Sequence, residues 1–563
     1  MLELKGENPF KVRAYENGAR AVLAFPGDLD DAVRSRALLK ERGIGAGLFN
    51  NIQTLVETGS LPYHEELRGS FPPGLRECLR IPGFGARKAK QLFAAIGIDS
   101  LPALEAACRD GRVAAVKGFG PRSAEKILRG IAVLRASAGY HRIHRARERA
   151  EGVLHALRGL ADRIEVAGSI RRHREVIRDI DLVATSRKPA PLVAAFREMP
   201  GVTEVMADGP TKVSVRFADG LSADLRVVDA KSFPAALLYF TGSKEHNTAL
   251  RGRARRRGLK LNEYGLYRTE GDVAIPCASE AEIYRALELA YIEPELREGR
   301  GEIEAAEREA LPSLLHAGDL RGLIHVHTTE SDGRDSLEDM VGAARQSGYE
   351  YVAITDHSET AAYAGGLTPD RVRAQREAIR ALGRRTPDFR IFHGSEADIL
   401  ADGSIDFGDA FLPFFDLVVA SVHSRFGLPR AEQTRRLIRA VRNPFVSVLG
   451  HMTGRLLLSR DPIAVDAEAV IDAAAESGCA IEINCNPHRL ELDWRLCRRA
   501  VEKGVPLAID PDAHSVRELG LVPWGIGIAR KGWVTAAATL NARPAADLAR
   551  WLVARRGVPL LDG

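Results

Sequence analysis

Cysteine is scarce in this chain. Six cysteines in 563 residues, none in a C-x-x-C pair, cannot build a disulfide scaffold and leave no basis for a cysteine-type zinc site. No apolar run approaches the roughly 18 residues that a membrane span needs. No long low-complexity tract is present, and the opening MLELKGENPF lacks the charged-then-apolar pattern of a secretory leader. A cytoplasmic protein with reduced thiols and no membrane partner is expected. What is present is an ordinary globular composition, 45% hydrophobic and 28% charged, which excludes global disorder. The length suits about three to five domains. The net charge of +5 is uneven, with about +8 on residues 1–312 and about −3 on the remainder. The first part therefore suits a polyanionic partner and the second a cation site.

The first 140 or so residues read as short helices separated by glycine turns. From Ile164, the runs IEVAG, DIDLVAT, KVSVRF and SADLRVV read as strands with helical stretches between them. Residues from Ser232 to Leu311 are mixed and end in a charged helical run, and LPSLLHAGDLRG reads as a linker. Beyond Gly322, the runs LIHVHT, YVAITDH, RIFHGSE, LVVASVH, FVSVLGHM, AIEINCN and PLAIDPDAH alternate with helical patterns. That alternation predicts a parallel sheet or barrel.

Gly43-Ile44-Gly45, Gly83-Phe84-Gly85 and Gly118-Phe119-Gly120 each open a helix-like stretch. Such a turn presents the backbone N–H groups of a helix N-terminus, an end with partial positive charge. It can hold a phosphate without reading a base. One G-x-G turn alone fits a plain helix connection; three copies with Lys or Arg just inside the helix point to DNA. They resemble helix-hairpin-helix motifs, which grip the DNA backbone independently of sequence.

Gly168-Ser169-Ile170-Arg171-Arg172 leads through Glu175 to Asp179-Ile180-Asp181. Alternate residues of a strand face one side, so Asp179 and Asp181 point together. That pairing is costly unless a cation lies between them. Asp224 lies in SADLRVV, expected as the neighbouring strand. Three carboxylates on one sheet face suit two Mg²⁺ or Mn²⁺ ions, which can activate a 3′-hydroxyl and stabilise a pyrophosphate leaving group. Gly168, Ser169 and Arg172 offer donors for triphosphate oxygens. A lone D-x-D fits a solvated strand end. G-S-x-R-R followed by D-I-D and a later strand aspartate resembles the nucleotidyltransferase superfamily.

Tyr239-Phe240-Thr241-Gly242-Ser243, then Asn247 and Arg251, is similar to the nucleotide-binding subdomain of family X DNA polymerases. The resemblance implies that the Tyr-Phe-x-Gly turn packs beside the incoming sugar and helps exclude a ribose 2′-hydroxyl. It implies that Asn247 lies at the minor-groove edge of the base and Arg251 near the templating pair. The basic run Arg251–Arg257 fits template phosphates or a solvated helix face. GENPFKVRAYENGARAV resembles the family's small DNA-end-binding domain, entered inside its usual first helix, and aligns Lys11 and Tyr15 with residues that contact a 5′-phosphate. Asn51 stands where relatives carry a Schiff-base lysine, and Gly47 where they carry a phosphate-binding lysine. An amide cannot form a Schiff base as an amine does, so no deoxyribose-phosphate lyase activity is expected from this position.

The second half gathers histidines and acids at predicted strand ends: His325, His327, Asp332, His357, Glu396, His423, His451, Asp512 and His514. α/β barrels collect catalytic residues there. A single such His is more often a hydrogen-bonded core residue; nine ligand-type residues at successive strand ends are not explained that way. Imidazole with carboxylate suits Zn²⁺, Mn²⁺ or Fe²⁺, and nine ligands can serve up to three ions if one carboxylate bridges. Such a site can deprotonate water near neutral pH and hold a phosphodiester. The pattern resembles the PHP (polymerase and histidinol phosphatase) domain, a distorted (β/α)₇ barrel, with all nine family ligand positions filled and Glu396 as the bridging carboxylate. The family's aspartate before the first His is replaced by Leu323 or Ile324. Glu482, Asn484 and Arg489 are near-site or surface groups of undecided role.

Together these resemblances cover the chain as bacterial family X DNA polymerases do. The implied architecture is multidomain: an α-helical helix-hairpin-helix N-terminal region, an α+β nucleotidyltransferase palm with a nucleotide-binding subdomain, and the C-terminal barrel. The boundaries follow as 1–75 (DNA-end-binding), 76–140 (helix-hairpin-helix), 141–231 (palm), 232–310 (nucleotide-binding subdomain), 311–320 (linker) and 321–563 (PHP). The implied activities are gap-filling synthesis with dNTPs on gapped or nicked DNA, and 3′→5′ exonuclease action on 3′ ends, with abasic-site cleavage in some relatives. A nucleoid-associated monomer in the cytoplasm is expected. Two other readings stay open: a phosphoesterase for small phosphate monoesters with a non-catalytic first half, and a DNA-end-binding protein whose chemistry is vestigial.

Overall fold

The computed structural model describes residues 1–24, 29–41, 43–209 and 211–561. Met1–Ala138 with Leu458–Arg460 form one compact unit, and Gly139–Leu457 with Asp461–Gly563 a second.

The first unit is helical. Helices Ala46–Thr58, Ala86–Ile96 and Pro121–Ala136 each follow one of the glycine turns. All three turns share one backbone geometry. The first glycine is left-handed (Gly43 φ +99°, Gly83 φ +74°, Gly118 φ +88°), a region glycine enters without a Cβ penalty. The second (Gly45, Gly85, Gly120) is the extended N-cap residue. Two apolar cores lie beneath, one around Val33, Leu38 and Phe49, the other around Leu75, Leu92, Leu104 and Ile127. Leu4, from the short first helix Leu2–Lys5, buries in the second of these.

The second unit begins with the palm, a five-stranded sheet: β1 (Arg163–Val166), β2 (Asp179–Thr185), β3 (Val202–Asp208), β4 (Lys212–Phe217) and β5 (Ser222–Val227). The spatial order is β1-β2-β5-β4-β3, with β2 and β5 parallel and the other pairs antiparallel. β3 goes unmarked in the sequence pattern. It is an edge strand (VTEVMAD) without a buried residue, so it carries little apolar alternation. Helices Phe233–Thr241 and Lys244–Arg256 and a small antiparallel sheet over Leu259–Ile275 form the nucleotide-binding subdomain.

The barrel is a parallel sheet of seven strands in chain order: β6 (Gly322–Val326), β7 (Tyr351–Ile354), β8 (Arg390–Asp398), β9 (Leu417–Ser421), β10 (Val448–Leu449), β11 (Ala480–Asn484) and β12 (Leu507–Asp510). A parallel bridge between Val326 and Ala513 brings the last strand back to the first. Both faces are covered, so these strands are buried almost throughout, which explains their continuous apolar runs.

The segment 311–320 is not a free linker. Leu314 packs into the core of the nucleotide-binding subdomain, and Leu315 is fully buried with its N–H donating to the Val534 carbonyl at 3.1 Å. Its leucines are structural, and the turn Ala317–Asp319 that follows is capped by His316.

Candidate active sites

In the palm, the parallel register sets Asp181 directly opposite Asp224 and Asp179 opposite Ser222. Burial and the charges of Asp179 and Asp224 push Asp181 up to about 7. Asp179, although its surface is exposed, is raised too, by partial desolvation and by the Asp224 charge. This is a site with surplus negative charge, which a divalent cation would satisfy. Lys212 on β4, unremarked in the sequence, pairs with Asp224 Oδ2 at 2.9 Å.

Gly168 has a left-handed φ of +60°, and a Cβ there would lie 2.0 Å from Asp181 Oδ2. Both the turn and the close approach require glycine. Gly168 and Ser169 open the one-turn helix Gly168–Arg171, and Arg172 follows it. The Arg172 guanidinium donates to the Thr241 carbonyl and, through Nε, to Glu298 Oε1 at 3.0 Å. It therefore ties the Gly-Ser turn to the Tyr-Phe-Thr-Gly turn. Tyr239 and Phe240 meet edge to face at 5.2 Å, and Gly242 ends their helix at φ +71°. Asn247 Nδ2 donates to the Tyr239 carbonyl at 2.7 Å. The neighbouring His246 is buried between Glu302 (2.8 Å) and the Tyr284 hydroxyl (2.9 Å).

Arg251 is exposed on helix Lys244–Arg256. Its basic run is not uniform, however. Arg253 is buried, donating to the Leu287 carbonyl at 2.7 Å and pairing with Glu307, so it builds the subdomain core and cannot face a template.

In the first unit, Lys11 Nζ donates to the Tyr63 hydroxyl at 2.7 Å, and Asn51 Nδ2 donates to the Tyr15 hydroxyl at 2.8 Å. Tyr15 and the amide at the lysine position are thus direct neighbours. Gly47, in the first turn of its helix, faces open space.

The barrel brings all nine sequence-predicted ligands together. Three groupings could each hold a metal ion: His327, Asp332, His357 and His514; His325, His327 and Asp512; His357, Glu396 and His423. Glu396 is the hub, 3.3 Å from His325, 3.6 Å from His327, 3.0 Å from His357, 3.3 Å from His423 and 2.9 Å from His451. A bulge between Leu323 and Val326 turns β6, placing His325 at φ +67°, and Asp512 sits at φ +51°. Left-handed backbone at side chains other than glycine is costly and concentrates at functional sites.

The donor set fits divalent ions. Among the described residues, His325 Nε2, both ring nitrogens of His327, and Nδ1 of His357 and His451 are buried without a hydrogen-bond partner. Buried polar atoms are rarely left so, and imidazole nitrogens beside carboxylates are a donor set suited to a divalent ion. Burial, with His514 and His357 beside it, holds His327 down to about 3. Burial pulls on His423 as well, but Glu396 and Asp398 overcome it and lift it to about 10.

Around the ligands lies an outer ring of buried partners. Glu482 Oε1 is 2.5 Å from His325 Nδ1, and its Oε2 accepts the His451 N–H at 2.5 Å. Asn484 Nδ2 reaches Glu482 at 3.2 Å and Asp512 at 3.1 Å, and Arg489 Nε lies 3.8 Å from Asp512. These three residues, of undecided role in the sequence, line the site. Leu323 and Ile324 both pack in apolar clusters of the barrel, and Glu482 supplies the His325 partner from β11. The missed signal was a carboxylate inside the apolar run AIEIN. Asp398 accepts from His423 Nδ1 at 2.7 Å, and Asp356 accepts the Thr328 N–H at 2.8 Å. Asp356 adjoins His357 in the strand-end pattern TDHS, whereas Asp398 does not stand out in the sequence.

A carboxylate-bearing palm with its nucleotide-binding subdomain, helix-hairpin-helix turns and a metal-ligand barrel define a template-type polymerase joined to a phosphoesterase. Family models match four stretches: a helix-hairpin-helix domain over residues 1–61, a SAM-like helix-hairpin-helix tandem over 75–132, the DNA polymerase beta thumb over 236–298 and the PHP domain over 324–486. Over 560 residues, 98% of this chain and 96% of the relative, the sequence is 36% identical to the DNA polymerase/3'-5' exonuclease PolX of Bacillus subtilis (strain 168). A probable phosphatase of Caldicellulosiruptor saccharolyticus is 30% identical over 209 residues, 34% of this chain and 78% of its own length. One from Thermoanaerobacter sp. (strain X514) is 26% identical over 229 residues, 38% and 88% respectively. The chain belongs to the PolX family, the bacterial family X DNA polymerases with a C-terminal PHP domain.

Proposed function

We propose that this protein fills short gaps in DNA during repair, base excision repair included, adding dNTPs at the palm and removing 3′ nucleotides in the barrel. The observation that carries this is the presence of two separate acid-rich clusters on one chain, Asp179, Asp181 and Asp224 on one sheet and, in the barrel, eight histidines and acids in metal-holding groupings with His451 against Glu396. Both sites depend on divalent metal. Bound there, the ions supply charge neutralisation for phosphate and a lowered pKa for a hydroxyl or water. We assign Mg²⁺ or Mn²⁺ to the palm aspartates and up to three Zn²⁺ or Mn²⁺ to the barrel. Asp224 would help hold the catalytic ion and activate the primer hydroxyl. Gly168, Ser169 and Arg172 hold the triphosphate, Tyr239, Phe240 and Gly242 shape the sugar pocket, and Asn247 meets the base. The three glycine turns, Lys11, Tyr15 and Arg251 hold gapped or nicked DNA, and the protein works as a monomer on the nucleoid. Asn51 supplies no lyase nucleophile.

The test is a 5′-labelled primer on a one-nucleotide-gapped duplex with Mn²⁺, with and without dNTPs. Lengthening with dNTPs and shortening without them is expected. Shortening alone would reduce the first half to a DNA-positioning device. Turnover of a small phosphomonoester far above that of DNA would move the function to the phosphatase-like reading.

A further inference from the structure

The palm meets the barrel at the residues that directly follow the nucleotide-binding turn. Lys531 ends barrel helix Val522–Lys531, and its side chain is wholly buried. Its ammonium donates to the Arg172 carbonyl at 2.9 Å and to the Glu298 carboxylate, and lies 4.6 Å from the centre of the Trp494 ring. Glu298 in turn accepts from Arg172 Nε at 3.0 Å and from Arg174 at 3.3 Å. One turn back on the same helix, a Cβ added at Gly527 would lie 2.0 Å from the His173 ring. On the preceding barrel helix, Trp494–Glu502, Arg495 pairs with Glu175 at 3.4 Å and the Trp494 ring centre lies 5.9 Å from the Arg174 guanidinium. Residues 172–175 are thus gripped one after another by the barrel.

We propose that Lys531 is a positioning residue of the polymerase site. It anchors the backbone of Arg172 and shares the Glu298 charge, so that the Arg172 guanidinium is held in place for the triphosphate without being monopolised by Glu298. None of its hydrogen bonds reaches a barrel ligand: its acceptors are Arg172, Glu295 and Glu298. A residue of the degradative domain thereby serves the synthetic one. A buried ammonium is expensive unless fully partnered. Burial pulls Lys531 down to about 8 against the opposing charge of Glu298, so this arrangement is unlike a solvated surface contact.

This inference rests on the assignment of Arg172 to the triphosphate, and the test separates the two. In the full-length protein on gapped DNA, Arg172→Ala is expected to raise the KM for dNTP. If it does not, the Arg172 assignment itself fails. Lys531→Met is expected to raise the same KM on the order of tenfold, the usual size of a coupling between sites, with kcat and the exonuclease rate nearly unchanged. In the Arg172→Ala background, Lys531→Met should add nothing. An unchanged KM in Lys531→Met beside a raised KM in Arg172→Ala overturns the proposal. So do effects that multiply in the double variant, since Lys531 would then act through general stability. Should Lys531→Met fail to fold, Lys531→Gln, which keeps a donor for the Arg172 carbonyl but removes the charge, carries the same comparison.

Discussion

The palm and barrel sites solve one problem, holding divalent ions, in opposite ways. In the palm, Asp179 is exposed and the Asp224 side chain retains 24% of its accessibility. In the barrel, Glu396 retains 1% and His325 none. The palm carboxylates have few fixed partners beyond Lys212 and the Gly168 turn, whereas the barrel's candidate ligands His325, His423 and Asp512 each lean on a buried outer group. A site whose ions arrive with a charged substrate can stay open and incomplete until the substrate binds. A site whose ions are resident must be built before they come, with rings fixed by an outer shell of acids.

The largest expected effect tests whether the two sites are independent. Asp224→Ala should lower primer extension on the order of 10³-fold and leave degradation intact, while His325→Ala does the reverse. Loss of both activities from either change, in a folded protein, contradicts a two-site enzyme. Next is Gly168→Ala. Its Cβ would collide with Asp181 Oδ2, and displacement of a catalytic group by about 1 Å costs roughly 10²-fold. Extension should fall by that order with exonuclease rates unchanged; normal extension would mean the turn relaxes freely. On the barrel side, Glu482→Gln keeps the shape but removes the charge facing His325. Exonuclease activity and metal retained after desalting should drop about 10- to 100-fold. Full retention would show that the ligands need no outer support.

The smallest effect concerns the seam between the two regions. His144 and His173 flank Trp524, with ring centroids 6.4 Å and 5.9 Å away, and His173 Nε2 donates to the Trp524 carbonyl at 3.2 Å. Burial lowers both imidazoles to about 4. Their stabilising contribution is therefore complete above the ordinary histidine value near 6.5 and is lost as pH falls toward 4, by ~1–3 kcal/mol per group. Melting temperature should decline between pH 7 and 5, and His144→Gln should flatten the decline. Identical pH profiles for the two proteins would place the sensitivity elsewhere.

Much of this was legible in the sequence because it was periodic or local. Each of the seven barrel strands carries an apolar run, and the nine candidate ligands lie in or after those runs. The glycine turns announced themselves because glycine takes a left-handed conformation before a helix without a Cβ penalty. What stayed hidden depends on tertiary partners. Glu482 reads as one acid in an apolar strand until β11 is set opposite His325. Lys212 gains meaning only through the antiparallel register that brings β4 beside Asp224. Arg253 was indistinguishable from Arg251 along the chain, although one enters the core and the other faces solvent. Edge strand β3 lacked the alternation that marks a buried face, and 311–320 resembled a linker because its leucines form no long run.

That last segment bears on how the enzyme can be taken apart. With Leu315 sealed against the barrel and hydrogen-bonded to Val534, the stretch between the two catalytic regions is a seam of the core. Cutting the chain there would leave a raw apolar edge on each fragment. Silence from such a fragment would record the damage of the cut, and assigning either chemistry to its region calls for point substitutions in the intact chain.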